Sequence, residues 1–221
     1  MRYIKVLYIL LILFALGFIN AYSIKKISLN KPSNQDNFIK LLNKRRSIRQ
    51  YSNLPLNIKQ LAYILYAGNA RTPKGNRTAP SAGALYPIDI FVYANKVIGL
   101  SKGIYFYNAR YHYLQKMQDG DFSGHFKIAC YYQNHIKNAA ALIILIYEKR
   151  RMEYRYKEKS INFAYIEAGH ISQNVLLALT QLGLAGVPVG AFDAGMILKP
   201  FGYKLKKRVP LYVNAVGNKS G

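Results

Sequence analysis

Apolar positions recur along this chain at two spacings, and the change from one to the other lays out its elements. Phe38, Ile39, Leu41 and Leu42 repeat at helical spacing behind Asn34 or Asp36, either of which can cap a helix running towards Arg45. Asn57 predicts the cap of a second helix, Ile58 to Ala67, with Leu61, Ile64 and Leu65 on one face and Gly68-Asn69 as its stop. Beyond it the spacing becomes alternation. Ile88 to Tyr93 predicts a strand; Gly103 to Tyr107 and Tyr111 to Leu114 predict a hairpin turning at Asn108-Ala109-Arg110. Asp119 or Asp121 can cap a helix reaching Cys130. Ala139 to Tyr147 is continuously apolar, the signature of a central strand buried on both faces. The longest periodic run is Lys159 to Leu182, where Ala164, Ala168, Ile171, Val175, Ala178 or Leu179, and Leu182 fall at steps of three and four. Gly186 to Asp193 predicts a short strand turning into a new helix cap at Asp193, and Val209 to Val216 a last strand. The charged and aromatic stretch Glu148 to Lys159 reads as a surface loop or lid, with binding of single-stranded nucleic acid as the alternative.

The amino terminus breaks both patterns. Arg2 and Lys5 precede fourteen apolar or small residues, Val6 to Ile19. That is shorter than the ~20 residues that cross a bilayer comfortably. It fits the apolar region of a secretory signal, with Ile19-Asn20-Ala21 as a passable cleavage site; uncleaved, Val6 to Tyr22 would serve as a short anchor. Residues 1–23 are therefore read as a signal peptide or N-terminal membrane anchor, and residues 24–221 as one domain, exported or membrane-anchored and outside the cytoplasm.

The charge adds a preference for anions. Thirty-two basic residues against nine acidic ones give a net +23. Such a field attracts phosphorylated ligands, lipid headgroups or nucleic acid. The lysines are spread along the chain, so the charge reads first as surface chemistry; nucleic acid is not the expected partner, and membrane association would come through the N-terminal segment. The single cysteine, Cys130, excludes an internal disulfide and any Cys-pair metal site, and its apolar setting predicts a buried, inert thiol. His170 has no second histidine near it in the pattern, which predicts a hydrogen-bonded structural residue and no metal. Motifs for dinucleotide, nucleoside-triphosphate, zinc-protease and hydrolase-elbow sites are absent.

Two stretches carry candidate chemistry. Arg77 to Pro87 is a turn at Pro80-Ser81, a run of small residues (Ala82, Gly83, Ala84), and Leu85-Tyr86-Pro87 leading into the strand. Ser81 is a favoured helix cap, and the small residues let backbone approach a flat ligand closely. Lys44 to Tyr51 holds Arg45, Arg46, Ser47 and Arg49. Forked guanidiniums and a hydroxyl can grip a phosphate, although a solvated charge run would look the same.

Taken in order, Arg45-Arg46-Ser47-Ile48-Arg49-Gln50-Tyr51, the Arg77–Pro87 stretch, Glu167-Ala-Gly-His170-Ile-Ser-Gln-Asn174 and Gly186-Val-Pro-Val-Gly-Ala-Phe-Asp193 resemble the nitroreductase-like flavoproteins. The likeness is greatest to the SagB-type dehydrogenases, which include the azoline oxidases, and it spans residues 36 to 219. The resemblance implies an α+β fold, a central, mostly antiparallel sheet flanked by helices, working as an intertwined homodimer with FMN at the subunit interface. By position, Arg45, Ser47 and Arg49 would hold the phosphate and ribityl chain, with Arg46 beside them. Pro80, Ser81, Ala82 and Gly83 would cover the flavin ring from the opposite subunit, Gly190 and Ala191 would sit by the N5 edge, and Lys219 would reach the phosphate. The implied activity is that of an FMN-dependent oxidoreductase acting on a small-molecule or peptide substrate, with NAD(P)H or another electron donor. No acid–base side chain is assigned. The chain lacks the Lys-Tyr dipeptide of the azoline oxidases and has Asn162 where arginine is common, which together with the export segment weakens a role in tailoring ribosomal peptides. The missing dipeptide and the absent acid–base pair make a flavin-binding module without turnover one alternative; a basic surface protein binding anionic lipid or nucleic acid is another.

Overall fold

The structure, a computed structural model, describes residues 26–33 and 35–220; the apolar N-terminal segment and the candidate cap Asn34 lie outside the described residues. Contacts divide the chain into Met1–Asp36 and Asn37–Gly221, and every helix and strand named below lies in the second unit.

Six strands form one sheet: β2 (Ile88–Ala94), β4 (Gly103–Asn108), β5 (Tyr113–Asp119), β6 (Ala141–Glu148), β7 (Ala185–Val189) and β8 (Arg208–Gly217), in the order β5-β4-β2-β6-β8-β7. Every neighbouring pair is antiparallel. Two-residue strands β1 (Leu56–Asn57) and β3 (Val97–Ile98) pair separately. All eight residues of β6 are buried because the sheet is covered on both faces. Ile143, Leu145 and Tyr147 join one core cluster, and Leu142, Ile144 and Ile146 join the other, so the period-2 alternation of a strand divides one apolar run between two layers.

On one face lie α2 (Ile58–Asn69) and the long α6 (Ser160–Gln181); on the other lie the short α3 (Ser123–Ala129), α4 (Asn134–Asn138) and α7 (Ala194–Leu198). Helix α1 (Asn37–Lys44) carries no buried residue. Asn57 caps α2 with a reciprocal box, its side chain taking the Lys59 N–H while Gln60 takes its own. The predicted stop at Gly68 is corrected: Gly68 and Asn69 are inside the helix. A Cβ on Gly68 would stand 3.1 Å from Val175 Cγ2, so this glycine serves close packing of α2 on α6.

Two further expectations change. The second hairpin strand begins at Tyr113 and runs on to Asp119, because Tyr111 and His112 are taken into the turn, His112 at a φ of 53°. Glu148 to Lys159 is not a loop. Arg150–Tyr156 forms helix α5, whose Met152 is buried and whose Arg151 reaches into the protein to bond Asp89. Cys130 is buried as expected, and burial pushes its thiol up to about 12.

Candidate functional site

The run Arg45 to Arg49 leaves α1 and lies along one end of the sheet. The Ile48 N–H donates to the Gly186 carbonyl at 3.0 Å, and Tyr51 forms an antiparallel bridge with Lys219, so Lys219 lies alongside this run. The fit is tight: a Cβ on Gly217 would come within 3.0 Å of the Tyr51 ring. Arg46 turns back on its own chain, donating to the carbonyls of Asn43 and Arg45. Among the described residues no carboxylate pairs with Arg45 or Arg49. Next to this run, His135 has a buried Nε2 without a partner, and burial together with Arg49 lowers its pKa.

Strand β7 links the basic run to Gly190 and Ala191. Four residue steps separate Gly186 from Gly190, ~13 Å of extended chain. Both Gly190 and Ala191 are exposed, and among the described residues neither N–H finds a backbone acceptor outside regular structure. The Ala191 carbonyl accepts from the Gln133 amide at 3.3 Å. An exposed pair of backbone donors suits an acceptor atom at the edge of a planar ring.

Pro80 to Gly83 lies elsewhere. Ala82–Ala84 is a single 3₁₀ turn, but Ser81 does not cap it; its hydroxyl accepts the Tyr86 N–H at 2.9 Å instead. Gly83, Ala84 and Tyr86 all have positive φ (61°, 54° and 47°), an arrangement that costs free energy at the two non-glycine positions. A Cβ on Gly83 would meet Arg155 and Tyr156 of α5 at 2.8 and 2.9 Å. No hydrogen bond or ring contact among the described residues joins this loop to Arg45–Arg49 or to Gly190. Within one subunit, therefore, the sequence-predicted residues form two groups.

Under the loop lies a knot of buried charge. Asp89 on β2 takes Arg151 on one oxygen and Arg208 on the other, each at 2.5 Å, and Arg208 also reaches Glu148 at 2.8 Å. Glu167 on α6 is buried beside the Ser81 hydroxyl, yet neither of its oxygens closes a hydrogen bond. Burial is the main reason its pKa rises to about 7, with Ser81 and Arg77 acting the other way.

Residues 42–218 match the nitroreductase family. The nitroreductase-like protein MJ1384 of Methanocaldococcus jannaschii is 35% identical over 180 residues, 81% of this chain and 89% of that one. This chain belongs to the nitroreductase family. Its sheet and helices superpose on a chain of the Escherichia coli microcin synthetase McbBCD, solved with truncated pro-MccB17 bound, with a TM-score of 0.75 at 18% identity, covering 93% of this chain and 81% of the other. A nitroreductase-type protein of Desulfovibrio desulfuricans, solved in complex with FMN, gives 0.63 at 19% identity over 84% and 88%. At such identities the likeness is one of fold.

Membership of the nitroreductase family makes the chain an oxidoreductase. The residues that sequence patterns passed over are Asp89, Arg151, Arg208 and Glu148 as a connected group, with Glu167 buried near them, and Arg155 and Tyr156 against Gly83. Arg151 and Arg155 stood in a charge run with no visible partner, and their contacts come from α5 folding back across the sheet. His170, expected to be hydrogen-bonded, is exposed on α6, because at helical spacing it points away from the face that buries Glu167 and Ile171. Among the described residues no group of side chains could hold a metal.

Proposed function

We propose that this nitroreductase-family chain is an FMN-dependent oxidoreductase of the SagB-type dehydrogenase branch, working as a homodimer on a small-molecule or peptide substrate. The observation that carries it is the pair of features on β7: cations without carboxylate partners at one end, free backbone N–H groups at the other. A dianionic phosphate on a planar ring asks for both. Arg45, Ser47 and Arg49 with Lys219 would hold the phosphate, Arg46 would stand beside them, and Gly190 and Ala191 would present N–H donors to the ring edge. Bound FMN would supply hydride exchange at its N5 atom.

Pro80 to Gly83 would cover the ring from the partner subunit. Supporting this, the loop is separate from the basic run within one chain, and helices α1, α2 and α6 expose Phe38, Leu42, Tyr63, Tyr165 and Ile166, an apolar surface suited to a second copy. The chain's own residues bind and orient; none is assigned a proton-transfer role. The missing Lys-Tyr dipeptide favours one other reading, a flavin-binding module without turnover.

We further propose that residues 1–23 export or tether the domain; among the described residues no helix is long and apolar enough to cross a membrane. Mass spectrometry of the chain recovered from cells would decide, a mature N-terminus near residue 22 marking cleavage and an intact Met1 in the membrane fraction marking an anchor.

The test of the main reading is the visible spectrum of the purified domain from about residue 24 onward. Flavin bands that are released as FMN on denaturation, and bleached by a nicotinamide or another donor, are the expected result. A colourless protein that cannot be reconstituted with FMN overturns the reading, and bound flavin that no donor reduces leaves the binding module.

A further inference from the structure

Three arginines that the flavin reading leaves unused gather at the other end of the sheet from Arg45–Arg49. The basic run borders the row Gly186–Val216–Ala141–Ala94, whereas these arginines border Ile88 and Tyr107, six steps or ~20 Å away along β2. Arg71 and Arg77 form an antiparallel bridge, and the Arg71 N–H donates to the Ala109 carbonyl at 2.8 Å, which brings Arg110 alongside. Arg77 and Arg110 line two adjoining recesses. One, of about 210 Å³, also holds Asp89, Tyr107 and Arg151; the other, of about 330 Å³, also holds Arg71 and Tyr86.

Charge in these recesses is unbalanced. Asp89 is their only carboxylate, and its two oxygens are occupied by Arg151 and Arg208. Arg71 gives its Nε to the Gly75 carbonyl, and Arg110 rests over the Tyr111 ring. Arg77 is half-buried; its guanidinium lies over the face of Tyr86 at 4.8 Å and feels the charges of Glu167 and Asp89, but has no hydrogen-bond acceptor among the described residues. Five donors held partly out of water without an acceptor mark an incomplete site. Nearby Glu167 closes no hydrogen bond and does not complete it.

We infer that this recess binds the phosphate group of a small molecule through Arg77 and Arg110, with Arg71 contributing at the surface. Guanidinium forks match the paired oxygens of a phosphate, and the surplus cations call for a dianion over a monocarboxylate. The site does not depend on FMN occupying the other basic run. It adjoins the strained loop through Tyr86, which stacks under Arg77 and donates its N–H to Ser81. A phosphate held there orders the loop that carries Ser81 to Gly83.

Calorimetric titration of the full-length chain, saturated with FMN, against inorganic phosphate and separately against acetate tests this. One saturable phosphate site per subunit is expected, with acetate at least tenfold weaker. Repeating the titration in an Arg45→Ala, Arg49→Ala background without FMN removes the other phosphate-gripping cluster, so the result stands whether or not the flavin reading does. Arg77→Met and Arg110→Ala should each weaken phosphate at least tenfold, while Lys206→Ala, on an exposed loop, changes nothing. Arg110 is exposed, so its variant decides the matter if Arg77→Met does not fold. Unchanged phosphate affinity in Arg110→Ala, equal affinity for acetate, or an equal loss in Lys206→Ala would overturn the site.

Discussion

Two arginine clusters in this molecule have opposite surroundings. Around Asp89, the guanidiniums of Arg151 and Arg208 are matched by carboxylates that are almost wholly buried; Asp89 is 5% and Glu148 6% exposed. Arg208 also packs its guanidinium 4.1 Å over the Tyr203 ring. Around Arg49, cations stand near solvent with no carboxylate paired to them among the described residues, and the His135 ring, whose Nε2 has no partner, feels the Arg49 charge. Burial makes a charge depend on its partner, since an ion removed from water is tolerated only when paired and bonded. The first cluster is thus part of how the chain folds: it ties β2, β6, β8 and α5 together. The second contributes little to folding, which leaves its charges for a ligand. Sequence alone presents both as basic residues.

The largest effect should come from breaking the buried cluster. Asp89→Ala removes the buried acid that Arg151 and Arg208 share, each at 2.5 Å, and leaves Arg208, 18% exposed, with Glu148 as its remaining carboxylate. Removing one partner of a buried pair costs about 3–5 kcal/mol, because the surviving charge stays desolvated. Urea unfolding should show a loss of unfolding free energy of that size. A shift below about 1 kcal/mol would mean that solvent reaches the knot and that the comparison with the exposed run is false.

A smaller, pH-dependent effect belongs to Glu167, which lies between the two regimes: buried, but without a hydrogen bond. Its folded pKa of about 7 lies above the usual value of 4.5. The folded chain therefore holds a proton that the unfolded chain releases, and stability is full below about pH 4.5 and falls as pH rises through about 7. The difference corresponds to about 3 kcal/mol at most. Glu167→Gln, which keeps the shape and cannot ionise, should flatten stability between pH 5 and 8. Equal slopes for the variant and the parent would show that Glu167 is already ionised at pH 5.

Much of this architecture was legible before the structure. Both long helices, the central strand β6 and the last strand were marked by periodicity strong enough to outweigh local propensity. The apolar run Ala139–Tyr147 identified the middle of the sheet because a strand covered on both faces tolerates nine apolar residues in succession. The candidate site was legible only as residue types. Arg45–Arg49, Gly190 and Lys219 show themselves as residue types, and the structure places Lys219 beside the basic run through the Tyr51 bridge. Helix α5 was not legible. Its apolar contacts are the buried Met152 and the half-buried Tyr156, too few for a helical stripe to appear, and Arg151 ties it down by long-range bonds to Asp89 and to the Tyr86 carbonyl, 62 and 65 residues away. Gly68 misled for a related reason: local rules read it as a stop, while its role is fixed by Val175 on another helix.

The smallest effect on stability, and the sharpest test of the comparison, is expected from Arg45→Ala with Arg49→Ala. Neither guanidinium has a carboxylate to lose among the described residues, and removing two like charges from a chain of net +23 relieves repulsion. Unfolding free energy should change by no more than about 0.5 kcal/mol. Flavin binding should respond very differently. Charge-assisted bonds contribute about 1.5–3 kcal/mol each, so losing two should weaken FMN at least about 100-fold, measured by fluorescence quenching on titration. A folded variant that retains stoichiometric FMN refutes the clamp. A stability loss above about 2 kcal/mol would refute the comparison itself, because Arg45 and Arg49 would then behave as Arg208 does, as charges whose first obligation is to the fold.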